Sequence, residues 1–204
     1  MLKKLFCTGI FIFLFSYLQA QDSTKYIRLS FTLFDNAASL PQQGFGTAFK
    51  SPIHPGLAVG TEFSLKKWKR TELYQTVKLG YFYHRFVQHA IQLYSETGYR
   101  YTHRSGLGVY GQLGAGYLHS FIDQQVFVFE NGSYHEKKLP SRPQLMISLT
   151  PGIYYDFNKK CHWPVTVFFA YQAWLQLPYV KKYVTVFPNT ALQLGAILSL
   201  KRKK

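Results

Sequence analysis

Hydrophobic and polar positions alternate along most of this chain. Between Asn189 and Leu200, Leu192, Leu194, Ala196, Leu198 and Leu200 share one parity. Gln193, Gly195, Ile197 and Ser199 share the other, and all but Ile197 are small or polar. A period of two with a continuous apolar face predicts a strand lying against apolar surroundings. Tyr26 to Phe34 repeats the pattern, with Ile27, Leu29, Phe31 and Leu33 against Arg28, Ser30 and Thr32. So does Gly56 to Lys66, where Leu57, Val59, Phe63 and Leu65 alternate with Ala58, Gly60, Glu62 and Ser64.

Five further segments follow the same rule. Glu72 to His84 sets Leu73, Val77, Leu79, Tyr81 and Tyr83 against Thr76, Lys78, Gly80 and His84. Ala90 to Thr102 sets Ile91, Leu93, Tyr99 and Tyr101 against Gln92, Glu96, Gly98 and Arg100. Leu107 to Phe121 places Gly108, Tyr110, Gln112, Gly114, Gly116 and Ser120 on its polar face. Glycine weakens an ordinary strand; in a narrow barrel these are expected to make room for large side chains from opposing strands. Gln144 to Phe157 alternates around Pro151, which removes a ladder donor and predicts a bulge. Val165 to Leu177 carries Val167, Phe169, Tyr171 and Leu175 against Thr166, Gln172, Trp174 and Gln176. That makes about eight strands in one domain.

Long connections follow the first, fifth and seventh strands: Asp35 to Pro55, Ile122 to Pro143 and Pro178 to Pro188. Asn131-Gly132 marks a hairpin turn in the second of them. Short links follow the second, fourth and sixth strands, and the link Arg85 to Gln88 is also short. Outer-membrane barrels have short periplasmic turns and longer surface loops, so both termini are expected in the periplasm.

The start of the chain supports export. Lys3 and Lys4 precede a mostly apolar run from Leu5 to Leu18, and Ala20 offers a small residue for cleavage. Residues 1–20 therefore read as a signal peptide, leaving 21–204 as the barrel domain. Cys7 lies too early to be a lipoprotein anchor, and Cys161 is then the sole cysteine, so no internal disulfide or thiol metal site is expected. No later run of about twenty apolar residues predicts a transmembrane helix. Aromatic residues make up 18% of the chain. Export, abundant Tyr and Phe, and alternation together predict an all-β, closed, antiparallel transmembrane barrel with an up-and-down meander.

Charge sorts by position. Removing Lys3 and Lys4 from the 24 basic residues leaves 22 against 9 acidic ones, a net charge of +13. Half of those 22 fall at the periplasmic ends of the predicted strands: Lys66, Lys67, Lys69, Arg70, Arg104, Lys159, Lys160, Lys201, Arg202, Lys203 and Lys204. Such a ring suits anionic lipid headgroups. Cations spread over turns of an exported chain argue against nucleic acid as a partner. Inside, alternation predicts a lumen ion network of Arg28, Glu62, Lys78, Glu96 and Arg100, in which Lys78 pairs with Glu62 or Glu96. An eight-stranded barrel fills its interior with side chains, so a wide pore is excluded.

The final strand resembles the C-terminal targeting strand of bacterial outer-membrane β-barrels. Gln193, Gly195, Leu198 and Leu200 occupy the recurring polar, glycine and apolar positions, and Lys201 to Lys204 follow where that family ends on an aromatic residue. The whole exported chain is similar in size to the small eight-stranded OmpA/OmpX-like class. The resemblance implies insertion by the barrel-assembly machinery and surface loops that bind a protein partner, with Phe127-Val128-Phe129-Glu130 as the segment to examine.

Candidate chemistry is sparse. Some outer-membrane lipid A deacylases are barrels of this size with His and Ser two positions apart. His119 and Ser120 are adjacent and point to opposite faces. His103 and Ser105 have the spacing, but lie in a turn assigned to the periplasmic rim. His119 beside Tyr117 and Phe121 reads as an interface anchor. His84 and His89 flank one link without a local carboxylate or thiol, so no metal is expected. Gly44-Phe45-Gly46-Thr47 and Gly106-Leu107-Gly108 are too short for phosphate loops. The sequence thus predicts a non-enzymatic structural or surface-interaction protein without a cofactor. The alternatives are a lipid-modifying outer-membrane enzyme and a secreted soluble barrel holding an apolar ligand.

Overall fold

A computed structural model describes residues 26–38, 53–84, 88–122, 126–130, 132–137, 141–179 and 185–201. The expected signal peptide, the Gly44 to Thr47 segment and Arg202 to Lys204 lie outside the described residues. The strands are β1 (Tyr26–Ala37), β2 (Pro55–Lys67), β3 (Thr71–His84), β4 (Gln88–Thr102), β5 (Leu107–Ile122), β6 (Val126–Glu130), β7 (Ser133–Lys137), β8 (Arg142–Asp156), β9 (Val165–Leu177) and β10 (Phe187–Lys201). One helical turn, α1 (Asn158–Cys161), lies between β8 and β9.

Eight strands close into one antiparallel barrel in the order β1-β10-β9-β8-β5-β4-β3-β2. The seam joins the two ends of the chain, with Tyr26 opposite Lys201 and Ala37 opposite Thr190. β6 and β7 form a separate hairpin inserted between β5 and β8. Glu130 pairs with Ser133, and Gly132 just before Ser133 takes a positive φ of +80°, as a tight hairpin turn needs; Asn131 lies outside the described residues. The second long connection is therefore partly strand. Asp35 to Ala37, expected in a loop, extend β1 by pairing with Leu192, Ala191 and Thr190.

Alternation divides the barrel cleanly. Val77, Leu113 and Leu194 are exposed outside, the latter two at 62% and 57% of their surface. Thr76 and Glu96 inside are fully buried. A soluble ligand-binding barrel would need the reverse, an apolar interior and a polar exterior. The interior is layered along the axis instead. In the half nearest the termini, charged and polar side chains share the interior with an apolar cluster of Tyr154, Phe168, Ala170 and Ile197, and an apolar plug of Phe34, Phe82, Tyr94, Leu118, Met146 and Trp174 follows.

Two local expectations need correction. Pro151 produces no bulge: Leu149↔Ala173 and Gly152↔Ala170 keep one register, and β5 pairs through Gly111↔Pro151 without a shift. The lost donor interrupts the ladder only toward β9. The shift in register occurs in β2 instead, between Ser64 and Lys66 opposite β3. The interior glycines also do not accommodate side chains from across the lumen. Each makes room on its neighbouring strand: Tyr74 is paired with Gly98, Tyr110 with Gly152 and Phe168 with Gly195. A Cβ on any of these three glycines would overlap the paired ring.

Candidate functional site

The interior charges form two layers. The outer one, nearer the chain ends, draws one residue from each of four adjacent strands. Arg28 on β1 donates through Nη1 to Glu72 Oε1 at 2.8 Å and lies 4.0 Å from Glu62. Arg100 on β4 donates through Nη2 to Glu62 Oε2 at 2.7 Å, and its Nε is 3.1 Å from Glu72 Oε2. That second contact is an ion pair whose angle falls outside hydrogen-bond geometry. The Arg100 guanidinium also lies over the Tyr74 ring, with Cζ 3.9 Å from the centroid. Two arginines thus share two carboxylates, which is how charges persist in a largely dry interior.

The inner layer centres on Glu96, fully buried on β4. Lys78 Nζ donates to Glu96 Oε2 at 2.7 Å and to Gln112 at 3.1 Å. The other carboxylate oxygen accepts from Ser148 at 2.8 Å, Thr150 at 2.9 Å and Gln172 at 3.3 Å. Gln193 on β10 continues the network by donating to Gln172 at 2.8 Å. Six strands, β3, β4, β5, β8, β9 and β10, therefore contribute to the network around one ionised pair. Between the layers, a gap lined by Ser30, Glu62, Tyr74, Lys78 and Gln112 measures about 10 Å³, near the lower limit for one water.

Of the two partners open to Lys78, the structure selects Glu96; Glu62 goes to the arginines. Glu72 is the member that alternation had not supplied. It shares the parity of Thr76 and Lys78 but stands at the start of its strand, before the apolar alternation begins. Tyr74 shares that parity as well, but a tyrosine by its type gives no sign of facing inward.

The remaining residues sort by place. Lys66, Lys67, Lys69, Arg70, Arg104, Lys159, Lys160 and Lys201 all lie at the barrel end that carries the chain termini. Gln193 and Gly195 face the lumen, while Leu200 is exposed outside and Leu198 is half-buried. His119 lies on the outer face, where Tyr117 Oη is 2.7 Å from its Nδ1 and Phe121 packs with a 4.9 Å ring separation. His84 and His89 are separated: His84 stacks on His54 at 3.7 Å, and His89 stacks on Phe121 at 5.0 Å. His103 Nδ1 approaches Ser105 Oγ at 3.1 Å and accepts from Ser105 N–H at 3.3 Å. That geometry closes the β4–β5 turn upon itself.

No family model matches the chain, and no curated protein matches its sequence. Solved structures do match. Neisserial surface protein A superposes with a TM-score of 0.52 at 11% identity, covering 85% of this chain and 95% of that one. A de novo designed transmembrane β-barrel gives 0.49 at 9% identity, over 88% and 99% of the two chains. The outer membrane enzyme PagL gives 0.48 at 11% identity, over 84% and 98%. The likeness to the neisserial protein shows a shared fold, the small closed eight-stranded barrel.

Proposed function

We propose that this protein is a Gram-negative outer-membrane β-barrel with a structural or surface-interaction role, exported by a signal peptide spanning residues 1–20. The observation that carries the reading is the reversed partition of side chains. A belt of exposed Leu, Val, Ile and Tyr surrounds an interior of paired charges and buried amides. Water would penalise that belt at roughly 25 cal/mol per Å² of apolar surface, whereas hydrocarbon does not. Arg28, Glu62, Glu72, Lys78, Glu96 and Arg100 each have an opposite charge within 4.0 Å, and with the buried plug beyond them they favour a lumen closed by side chains that conducts no bulk solution.

The short turns and their cations face the periplasm in this reading, with both termini there. The basic ring then meets anionic headgroups of the inner leaflet. The barrel-assembly machinery inserts the chain through its last strand. The β6–β7 hairpin faces the cell exterior and supplies a contact surface for a protein partner. Its Phe129 and Tyr134 side chains are exposed and pack against each other at 5.0 Å.

The test is fractionation with a gel-mobility assay. The protein should be recovered in detergent-extracted outer membrane and should change mobility on heating. Recovery in the soluble periplasm would remove the proposal.

A further inference from the structure

The turns at the terminal end of the barrel enclose a cavity of about 540 Å³, floored by the Arg28, Arg100 and Glu72 layer. Its wall carries Lys67, Lys69 and Arg70 from the β2–β3 turn and Lys159 from α1. The floor is electrically balanced, because its two arginines are matched by Glu62 and Glu72. The wall is not. None of its four cations takes part in an ion pair among the described residues. Asp156 is the acidic side chain on the wall, and its carboxylate accepts from Asn158 N–H at 3.0 Å within its own turn.

The cations stand on fixed backbone. Trp68 N–H donates to Thr71 O at 2.9 Å, and Thr102 N–H donates to Arg70 O at 2.8 Å. On the other side Cys161 N–H donates to Phe157 O at 2.9 Å, and His162 ends the helical turn at φ 57°. The like charges are thus held around one concave space by short turns, and bringing them together is unfavourable until an anion enters. Lys66 is different: its Nζ sits 5.1 Å from the Trp68 ring, and it does not line the cavity.

We propose that this vestibule binds a small, soluble, polyvalent oxyanion of the phosphate class. Three considerations select that chemistry. The volume matches a single small molecule. On the floor below, two carboxylates balance two arginines, whereas four unmatched cations around one space call for several negative charges on one compact ligand. Phosphoryl groups carry about −1.5 to −2 each at neutral pH and accept several hydrogen bonds at once. The cavity lies at the mouth of the barrel, while lipid headgroups lie around its circumference, which favours a solute over a lipid. The inference extends the basic-ring reading and holds whichever compartment this end faces.

Calorimetric titration of tripolyphosphate into the protein in zwitterionic nanodiscs tests it, with citrate as the carboxylate comparator. Tripolyphosphate should bind more tightly than citrate and weaken as salt rises. The variant Lys67→Gln/Arg70→Gln/Lys159→Gln should lose about tenfold or more in affinity. Lys66→Gln/Arg104→Gln, which removes two cations of the same ring outside the cavity, should bind as the parent does. Both variants should retain the heat-dependent gel shift. Absence of binding, equal affinity for citrate, or equal loss in the two variants would overturn the proposal. So would loss of binding when the discs contain anionic phospholipid, since that would return the cations to the headgroups.

Discussion

Tyr74 and Gly98 face each other across β3 and β4, and the tyrosine ring occupies the space that a Cβ on Gly98 would need. The same ring supports the Arg100 guanidinium at 3.9 Å. Packing of a glycine and placement of a buried charge are therefore one feature. The Gly98→Val variant should lose about 1–3 kcal/mol, the usual cost of overpacking. Urea unfolding in lipid vesicles measures it. Gly111→Ala is the control, because nothing lies within 4 Å of its added Cβ, and it should shift stability by less than about 0.5 kcal/mol. Equal losses in the two would mean that Tyr74 does not need the space.

The Lys78–Glu96 pair gives a second expectation. Glu96→Gln leaves Lys78 buried without its counter-charge, a change that costs about 3–5 kcal/mol. Lys78→Met combined with Glu96→Gln removes the stranded charge and should recover part of that loss. A double-mutant cycle reads the coupling, and additive losses would show that the two side chains act independently.

Closure of the lumen is measurable as conductance. In planar bilayers the protein should give no long-lived ohmic channel. Single truncations of the plug, such as Trp174→Ala, should leave that unchanged because the two charged layers remain beneath it. Steady large conductance from the parent protein would contradict the sealed interior.

Orientation can be read from one thiol. Cys161 is free and exposed at the end bearing the chain termini. A membrane-impermeant maleimide should leave it unlabelled on intact cells and label it after the outer membrane is opened. With Cys161→Ser in place, Ser133→Cys at the start of β7 should label on intact cells. The opposite result would invert the barrel.

Much of this architecture is legible in the sequence because parity is a local property. Whether Lys78 and Glu96 point inward follows from their neighbours two positions away. What parity cannot supply is register, the offset between strands distant in sequence. The pairing of Tyr110 with Gly152 rests on it, as does the convergence of Ser148, Thr150 and Gln172 on one carboxylate. Glu72 was illegible for a different reason, since it precedes the apolar positions that reveal the period. Pro151 misled because a missing donor need not displace the chain when only one of its two flanking strands loses a bond. The β6–β7 hairpin announced its turn through Asn131-Gly132, but its five-residue strands are too short to separate from loop by alternation alone.

The seam between β1 and β10 makes the earliest and latest strands of the barrel mutually dependent. Until residues 187–201 have been made, β1 and β9 each present an unsatisfied edge, and such edges recruit other chains. A nascent copy is therefore an aggregation hazard until β10 closes the sheet. Any system that handles it must shield two sticky borders at once and can release the chain only when they meet.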